Sequence, residues 1–237
     1  MPRPPRAVVL FSGGLDSTTV LAIAQRDGFD PIALSFRYGQ RHAVEIDRAT
    51  ALAESMGAEH LVLDLPYAAI GGSALIGSGT SGDGTVPEEP AAGAGSGTIP
   101  PTYVPARNLV FLSFALAVAE AHGCRDIYLG VNALDYSGYP DCRPEFLEAF
   151  LETAHRGTRD GSSSADNRWW RLHAPLVEMS KADIVRAGAE LGVDFSRTLS
   201  CYDPDPKGRA CGRCDSCGLR RRGFAEAGID DPTAYQG

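Results

Sequence analysis

The stretch Ala7-Val8-Val9-Leu10-Phe11-Ser12-Gly13-Gly14-Leu15-Asp16-Ser17 decides the fold. Its first five residues form an apolar, β-branched run of the length of one buried strand, which breaks into a Ser-Gly-Gly turn. Residues 17–26 follow with Val20, Leu21 and Ala24 on one helical face. Strand, glycine turn and helix make the first half of a βαβ unit. The alternation continues outward. Residues 31–36 and 60–65 read as strands around a helix at 43–56, which carries Ile46, Ala49, Ala53 and Met56 at helical spacing and stops at Gly57. A helix at 108–122, a strand at 126–131 and a helix at 145–155 come next, the last with Phe146, Phe150, Leu151 and Ala154 on one side. Residues 181–191 form a further helix, opened by a Ser180/Asp183 capping box. Repeated units of this kind predict an α/β fold, a Rossmann-like parallel sheet with helices on both faces.

Two stretches break the rhythm. Residues 71–101 are rich in Gly, Ala, Ser, Thr and Pro with almost no large apolar side chain, and are expected to form a mobile loop. Residues 158–167 are a second polar, Ser-rich insertion, also expected as loop. The run 109–121 is apolar but too short to span a bilayer, so it reads as a buried core helix. With no secretory signal in residues 1–6, the expected compartment is the cytoplasm, with no membrane partner. A net charge of −8 disfavours nucleic acid as a partner. The one compact basic cluster, Arg220-Arg221-Arg222, reads as a solvated helix face.

Three constellations carry chemistry. In the first, the backbone amides of the Gly13-Gly14 turn and of the helix that follows make a phosphate cradle. Ser12 and Ser17 add hydroxyl donors and Asp16 can hold Mg²⁺. The spacing and lysine of a Walker A loop are missing, so γ-phosphate transfer is not implied. The second is Cys201-x₉-Cys211-x₂-Cys214-x₂-Cys217, four thiolates suited to a closed, structural zinc site, with an iron–sulfur cluster as the alternative. It predicts a small zinc-binding region at 196–237 packed on the α/β domain at 1–195. The third follows the fourth strand. Asp135, Tyr136, Ser137, Tyr139, Asp141, Arg143 and Glu145 supply aromatic faces and both hydrogen-bond polarities, as a flat heterocycle with a guanine-like edge requires. The remaining cysteines, Cys124 and Cys142, read as packed thiols.

The first string resembles the PP-loop of the ATP pyrophosphatase superfamily, of adenine nucleotide alpha hydrolase-like fold. That resemblance implies cleavage of ATP to AMP and pyrophosphate through an adenylated intermediate. Together with Tyr38-Gly39-Gln40-Arg41-His42, Tyr103-Val104-Pro105-Ala106-Arg107-Asn108, the block Asp135–Phe146 and the cysteine cluster, in this order, the whole chain resembles the 7-cyano-7-deazaguanine synthase (QueC) family. The family pattern implies ATP contacts from Phe11 through Ser17 and on through Thr18, Thr19, Val20 and Leu21, and zinc at the four cysteines. It implies an ATP-dependent carbon–nitrogen ligase of queuosine biosynthesis that converts 7-carboxy-7-deazaguanine and ammonia to the nitrile through an adenylated acid and an adenylated amide. It also implies a homodimer. Asp16, Ser12, Ser17, Lys181 and Arg107 are the catalytic candidates, and Tyr38 and Arg41 join the substrate set. Position 106 departs from the pattern, with Ala where many relatives are expected to carry Gly. The chain is too short to hold a glutaminase as well, so free ammonia is the expected donor. Three rivals stay open: a relative that joins the deazapurine to a protein amine in a defence system, a tRNA-thiolating enzyme, and a nucleotide-binding module without catalysis.

Overall fold

In the computed structural model, which describes residues 3–38, 44–66, 73, 103–132, 139–164 and 168–236, the deciding stretch forms strand β1 (Arg6–Leu10), a turn and helix α1 (Leu15–Arg26). The other strands are β2 (Asp30–Arg37), β3 (Glu59–Asp64), β4 (Asp126–Tyr128) and β5 (Arg171–His173). The helices are α2 (Val44–Ser55), α3 (Arg107–Ala121), α4 (Pro144–Gly157), α5 (Arg159–Ser163), α6 (Lys181–Glu190) and α7 (Asp215–Ala227). The sheet order is β3-β2-β1-β4-β5, and every pairing is parallel.

Successive strand side chains point to opposite faces, and β1 shows both faces covered. Val8, with Ile32 and Leu34, packs in one cluster with Leu112 and Ala115 of α3 and Phe150 of α4. Ala7, Val9 and Ala33 pack in the other, with residues of α1, α2 and α6 and with Phe224 of α7. The turn after β1 needs its glycine. Gly13 has φ +73°, and a Cβ there would stand 3.0 Å from the Ala49 Cα of α2.

The predicted elements are present with ends shifted by one to three residues, and the Ser180/Asp183 capping box is formed on both sides. Four expectations need correction. Strand β5 was missed because Arg171-Leu172-His173 is a half-exposed edge with one apolar residue and no hydrophobic run. Residues 159–163, expected as loop, form α5 because the Thr158 hydroxyl accepts from Gly161 N and caps a single turn. Helix α3 buries only one face: Leu112 and Ala115 are 0% exposed, whereas Leu109 and Phe114 stand 43% and 39% exposed. Arg220 is not on a solvated face. It is 3% exposed and donates to Asp231, Thr198 and the Phe195 carbonyl, clamping α7 to the chain on either side. Apart from Ser73, the expected loop at 71–101 lies outside the described residues, as do 165–167.

Ala106 is the one described non-glycine residue with positive φ, at 52°. A left-handed conformation costs an L-residue about 1–2 kcal/mol, and glycine relieves it at an entropic cost of about 0.5–1 kcal/mol. Ala106→Gly should therefore raise stability by roughly 0.5–1 kcal/mol in urea unfolding. A loss would mean that the Ala106 methyl packs better than this balance allows.

Candidate active site and metal centre

The strand order reverses direction of growth between β1 and β4, and open parallel sheets bind ligands at that point, beyond the carboxyl ends of their strands. A pocket of about 290 Å³ lies there, lined by Phe11 after β1, Phe36 and Tyr38 at the end of β2, and Leu129–Val131 after β4.

Its floor is the glycine turn. The Ser12 and Ser17 hydroxyls lie 3.1 Å apart, and Ser12 N donates to Ser17 Oγ at 3.1 Å. Gly14 caps α1 without a side chain, while the first amide of the helix, Leu15 N, donates to Ser200 Oγ at 3.1 Å. An anion is favoured at such a terminus by the helix dipole and by the amides that follow Leu15. The predicted ATP span divides at this point. Phe11, Ser12, Gly14, Leu15, Asp16 and Ser17 line the pocket. Thr18, Thr19, Val20 and Leu21 are fully buried in α1, the two threonines bonding back to Gly14 O and Leu15 O, and stand outside the pocket lining. Gly13 faces α2.

Lys181, first residue of α6, meets Asp16 at 2.8 and 2.9 Å, one ammonium on both carboxylate oxygens. Only 10% of its side chain and 21% of that of Asp16 are exposed. On the opposite wall Arg107, first residue of α3, hydrogen-bonds Tyr38. Burial works against the Arg107 cation, but Tyr38, Tyr202, Tyr139 and Cys142 around it hold its pKa above the ordinary arginine value. Burial likewise raises Tyr38. Cys142 is pushed up to about 12 by burial and by Asp141, which leaves it a packed thiol.

The structure splits the predicted substrate set. Tyr38 and Tyr139 line the pocket, and Arg41, Asp135, Tyr136 and Ser137 lie outside the described residues. Three members are elsewhere. Asp141 is buried, and its Oδ2 accepts from Asn108 N at 3.0 Å, so it holds the N-terminus of α3. Arg143 and Glu145 are exposed at the start of α4, whose first residue is Pro144, and neither lines the pocket. Other lining residues escaped the sequence reading. Glu45 opens α2, and Asn108 follows Arg107. Ser200 directly precedes the cysteine motif, and Tyr202 and Ser216 lie inside it.

The four predicted cysteines converge, with their sulfurs within 4.8 Å of one another. A tetrahedral ion with bonds of about 2.3 Å needs sulfurs about 3.8 Å apart, and Cys211 and Cys217 stand at 4.0 Å. Backbone amides of Asp203 and Cys211 donate to Cys201 Sγ, and that of Cys214 to Cys211 Sγ, as outer partners of bound thiolates do. The donor set fits a metal. The centre also abuts the glycine turn: Leu199 N donates to Gly13 O, Leu15 N to Ser200 Oγ, and Ser216 Oγ to Ser200 O.

Among the described residues, no helix is long and apolar enough to cross a membrane. Residues 6–228 match the family model for queuosine biosynthesis protein QueC. Proteins named 7-cyano-7-deazaguanine synthase are similar to this chain over nearly its full length. That of Geotalea daltonii is 58% identical over 231 residues, 97% of this chain and 96% of the relative. That of Geobacter metallireducens is 57% identical over 231 residues, 97% of this chain and 93% of the relative. That of Kineococcus radiotolerans is 56% identical over 238 residues, with both chains fully covered. By that match over residues 6–228 and by relatives more than half identical over nearly its whole length, the chain belongs to the QueC family.

Proposed function

We propose that this protein is an ATP-dependent ligase that converts 7-carboxy-7-deazaguanine and ammonia to 7-cyano-7-deazaguanine. The observation that carries this reading is the identity of more than half the residues, end to end, with relatives that bear that synthase name. The pocket supports it. A carboxylate oxygen is a poor leaving group and AMP a good one, so the substrate carboxylate attacks the α-phosphorus of ATP and pyrophosphate leaves. Ammonia then displaces AMP to give the amide, whose oxygen is adenylated in turn, and loss of the second AMP leaves the nitrile. The glycine turn and the amides at the start of α1 receive the phosphates, with Ser12 and Ser17 as added donors. Arg107 and Lys181 face them with positive charge from opposite walls. Asp16 keeps outward lone pairs for Mg²⁺ beside its contact with Lys181. Bound with ATP, that ion neutralises phosphate charge. Tyr38 and Tyr139 offer aromatic faces to the heterocycle. Zinc suits four sulfur donors at tetrahedral spacing and has a structural role here.

The exposed Leu109 and Phe114 on α3 fit an interface between two copies, and we infer a homodimer that works in the cytoplasm. Transfer to a protein amine finds no support among these relatives. The test is mass spectrometry of the purified protein with 7-carboxy-7-deazaguanine, Mg-ATP and ammonium. Nitrile formed with two AMP per molecule is the expected result. An amide end product with one AMP, or an adenylate that waits for another acceptor, would refute it.

A further inference from the structure

The proposed reaction strips nitrogen bare. It enters as ammonia with three hydrogens and leaves as a nitrile with none, so a base must work at one spot more than once. Among the described residues that line the pocket, the carboxylates are Asp16 and Glu45, and there is no histidine. Both oxygens of Asp16 are engaged by Lys181. Arg107 is bonded to Tyr38, and Arg220 is paired with Asp231. Cys142 and Tyr38 are pushed away from ionisation by burial. Glu45 alone of these groups has neither ion-pair nor hydrogen-bond partner among the described residues, although it is half-buried in the pocket wall.

The geometry points to Glu45 as the proton acceptor at the reacting nitrogen in both halves of the reaction. This rests on the function proposed above. In the first half the nitrogen lone pair forms a bond to the carbonyl carbon of the acyl adenylate. An N–H proton passes to a Glu45 carboxylate oxygen, and the C–O bond breaks with its electron pair going to AMP. Glu45 returns the proton to water. In the second half the adenylated amide carries two hydrogens on nitrogen. One passes to Glu45, which hands it on to water and leaves the neutral imidate. The other passes to Glu45 as its N–H electrons form the third carbon–nitrogen bond and AMP leaves with the C–O pair.

The surroundings suit a base that reloads near neutral pH. Burial raises Glu45 from 4.5 to about 7. This overrides the opposite pull of the α2 N-terminus, which favours the charged form. Among the described residues, neighbouring charges leave this intact. Arg37 on β2 is bonded to Asp64, and His60 on β3 to Ser35. On α2 itself Asp47 is exposed and Arg48 reaches Lys207 O. In the pocket, Glu45 adds to the raised pKa of Tyr38, and Arg107 opposes it there.

The test compares wild type with Glu45→Gln in two assays. The first is exchange of labelled pyrophosphate into ATP that depends on 7-carboxy-7-deazaguanine. The second is nitrile formation at fixed free-ammonia concentration between pH 5.5 and 8.5. Wild-type exchange and nitrile report on the proposed function itself, and their absence would defeat that reading without reference to Glu45. The Glu45 assignment expects exchange to be unchanged in the variant and nitrile formation to fall about 100-fold at neutral pH. It also expects the rise in wild-type rate through about pH 7 to disappear. A thermal melt gives a readout independent of turnover. A carboxyl whose pKa is raised by folding holds its proton better in the folded state. Wild-type stability is therefore lost as pH climbs from 4.5 through about 7. Glu45→Gln should accordingly melt higher than wild type at pH 8 and match it at pH 4.5. Retained nitrile formation with the same pH limb would overturn the assignment. So would loss of exchange together with amidation, which would mark Glu45 as a substrate-recognition or packing group.

Discussion

Replacing Cys214 with serine should cost the protein its bound metal and its pyrophosphate release together. Cys214 is 2% exposed, belongs to the four-sulfur cluster and is the residue from which α7 starts. A structural zinc of this kind contributes on the order of 10 kcal/mol to local folding, comparable with the whole stability of a typical domain. Three sulfurs and a hydroxyl hold it far less well. The damage should not stay local, because the segment from Leu199 to Cys201 backs the phosphate turn through Leu199 N to Gly13 O and Leu15 N to Ser200 Oγ. Without it the turn loses two of the bonds that fix it. The expected result is a metal content near zero per chain, a lower melting temperature and a fall of at least about 100-fold in pyrophosphate release, as when a positioned set of donors is lost. A variant that keeps one metal per chain and wild-type turnover would show that the cysteines do not act as one site. Chelation of the wild type should reproduce the loss, and zinc should reverse it.

The second large effect is expected at Lys181. Lys181→Met removes one partner of a mostly buried pair and leaves Asp16 without its cation, which costs about 3 kcal/mol of stability. It also removes a positive charge that faces the developing phosphate charge, and kcat/KM should fall by about 10³. Asp16→Asn should be milder on stability, because the amide oxygen still accepts from the ammonium, yet it should be as severe on turnover. The double variant separates the two roles. Lys181→Met with Asp16→Asn should recover most of the lost stability, since no charge is left stranded, and none of the activity. Recovery of activity in the double variant would reduce the pair to a structural clamp. No recovery of stability would mean that Lys181 is held chiefly by contacts other than Asp16.

The α/β layering could be read from the sequence because its signals are local. Val8 and Val9 sit in a run apolar on both faces, Ser180 and Asp183 cap their own helix, and glycine at position 13 permits the left-handed turn. Strand β5 could not be read, because what makes Arg171-Leu172-His173 a strand is its pairing with β4, a partner more than forty residues away in the chain. Arg220 misled for the same reason. Its cluster looks like a solvated face until Asp231, Thr198 and the Phe195 carbonyl close around the guanidinium. The apolar helix α3 shows the reverse error, since hydrophobicity announces burial against something without saying whether that surface belongs to the same chain.

For the site, the sequence by itself determined the chemistry that depends on short spacing: the glycine turn at the start of α1 and the cysteines two residues apart, whose sulfurs do converge. It also determined the family, through motifs spread over the whole length. Only the tertiary structure decided which polar residues share a space. It joined Lys181 to Asp16 across 165 positions and set Ser200 against the phosphate turn. It sent Asp141 to hold α3 and left Arg143 and Glu145 at the surface, although all three stand within a few residues of Tyr139 in the pocket wall. The physical reason is that spacing fixes direction only within one turn of helix or one stretch of strand. Beyond that, the packing of sheet against helices sets each side chain's neighbours, and with them its burial, as the raised pKa of Glu45 shows.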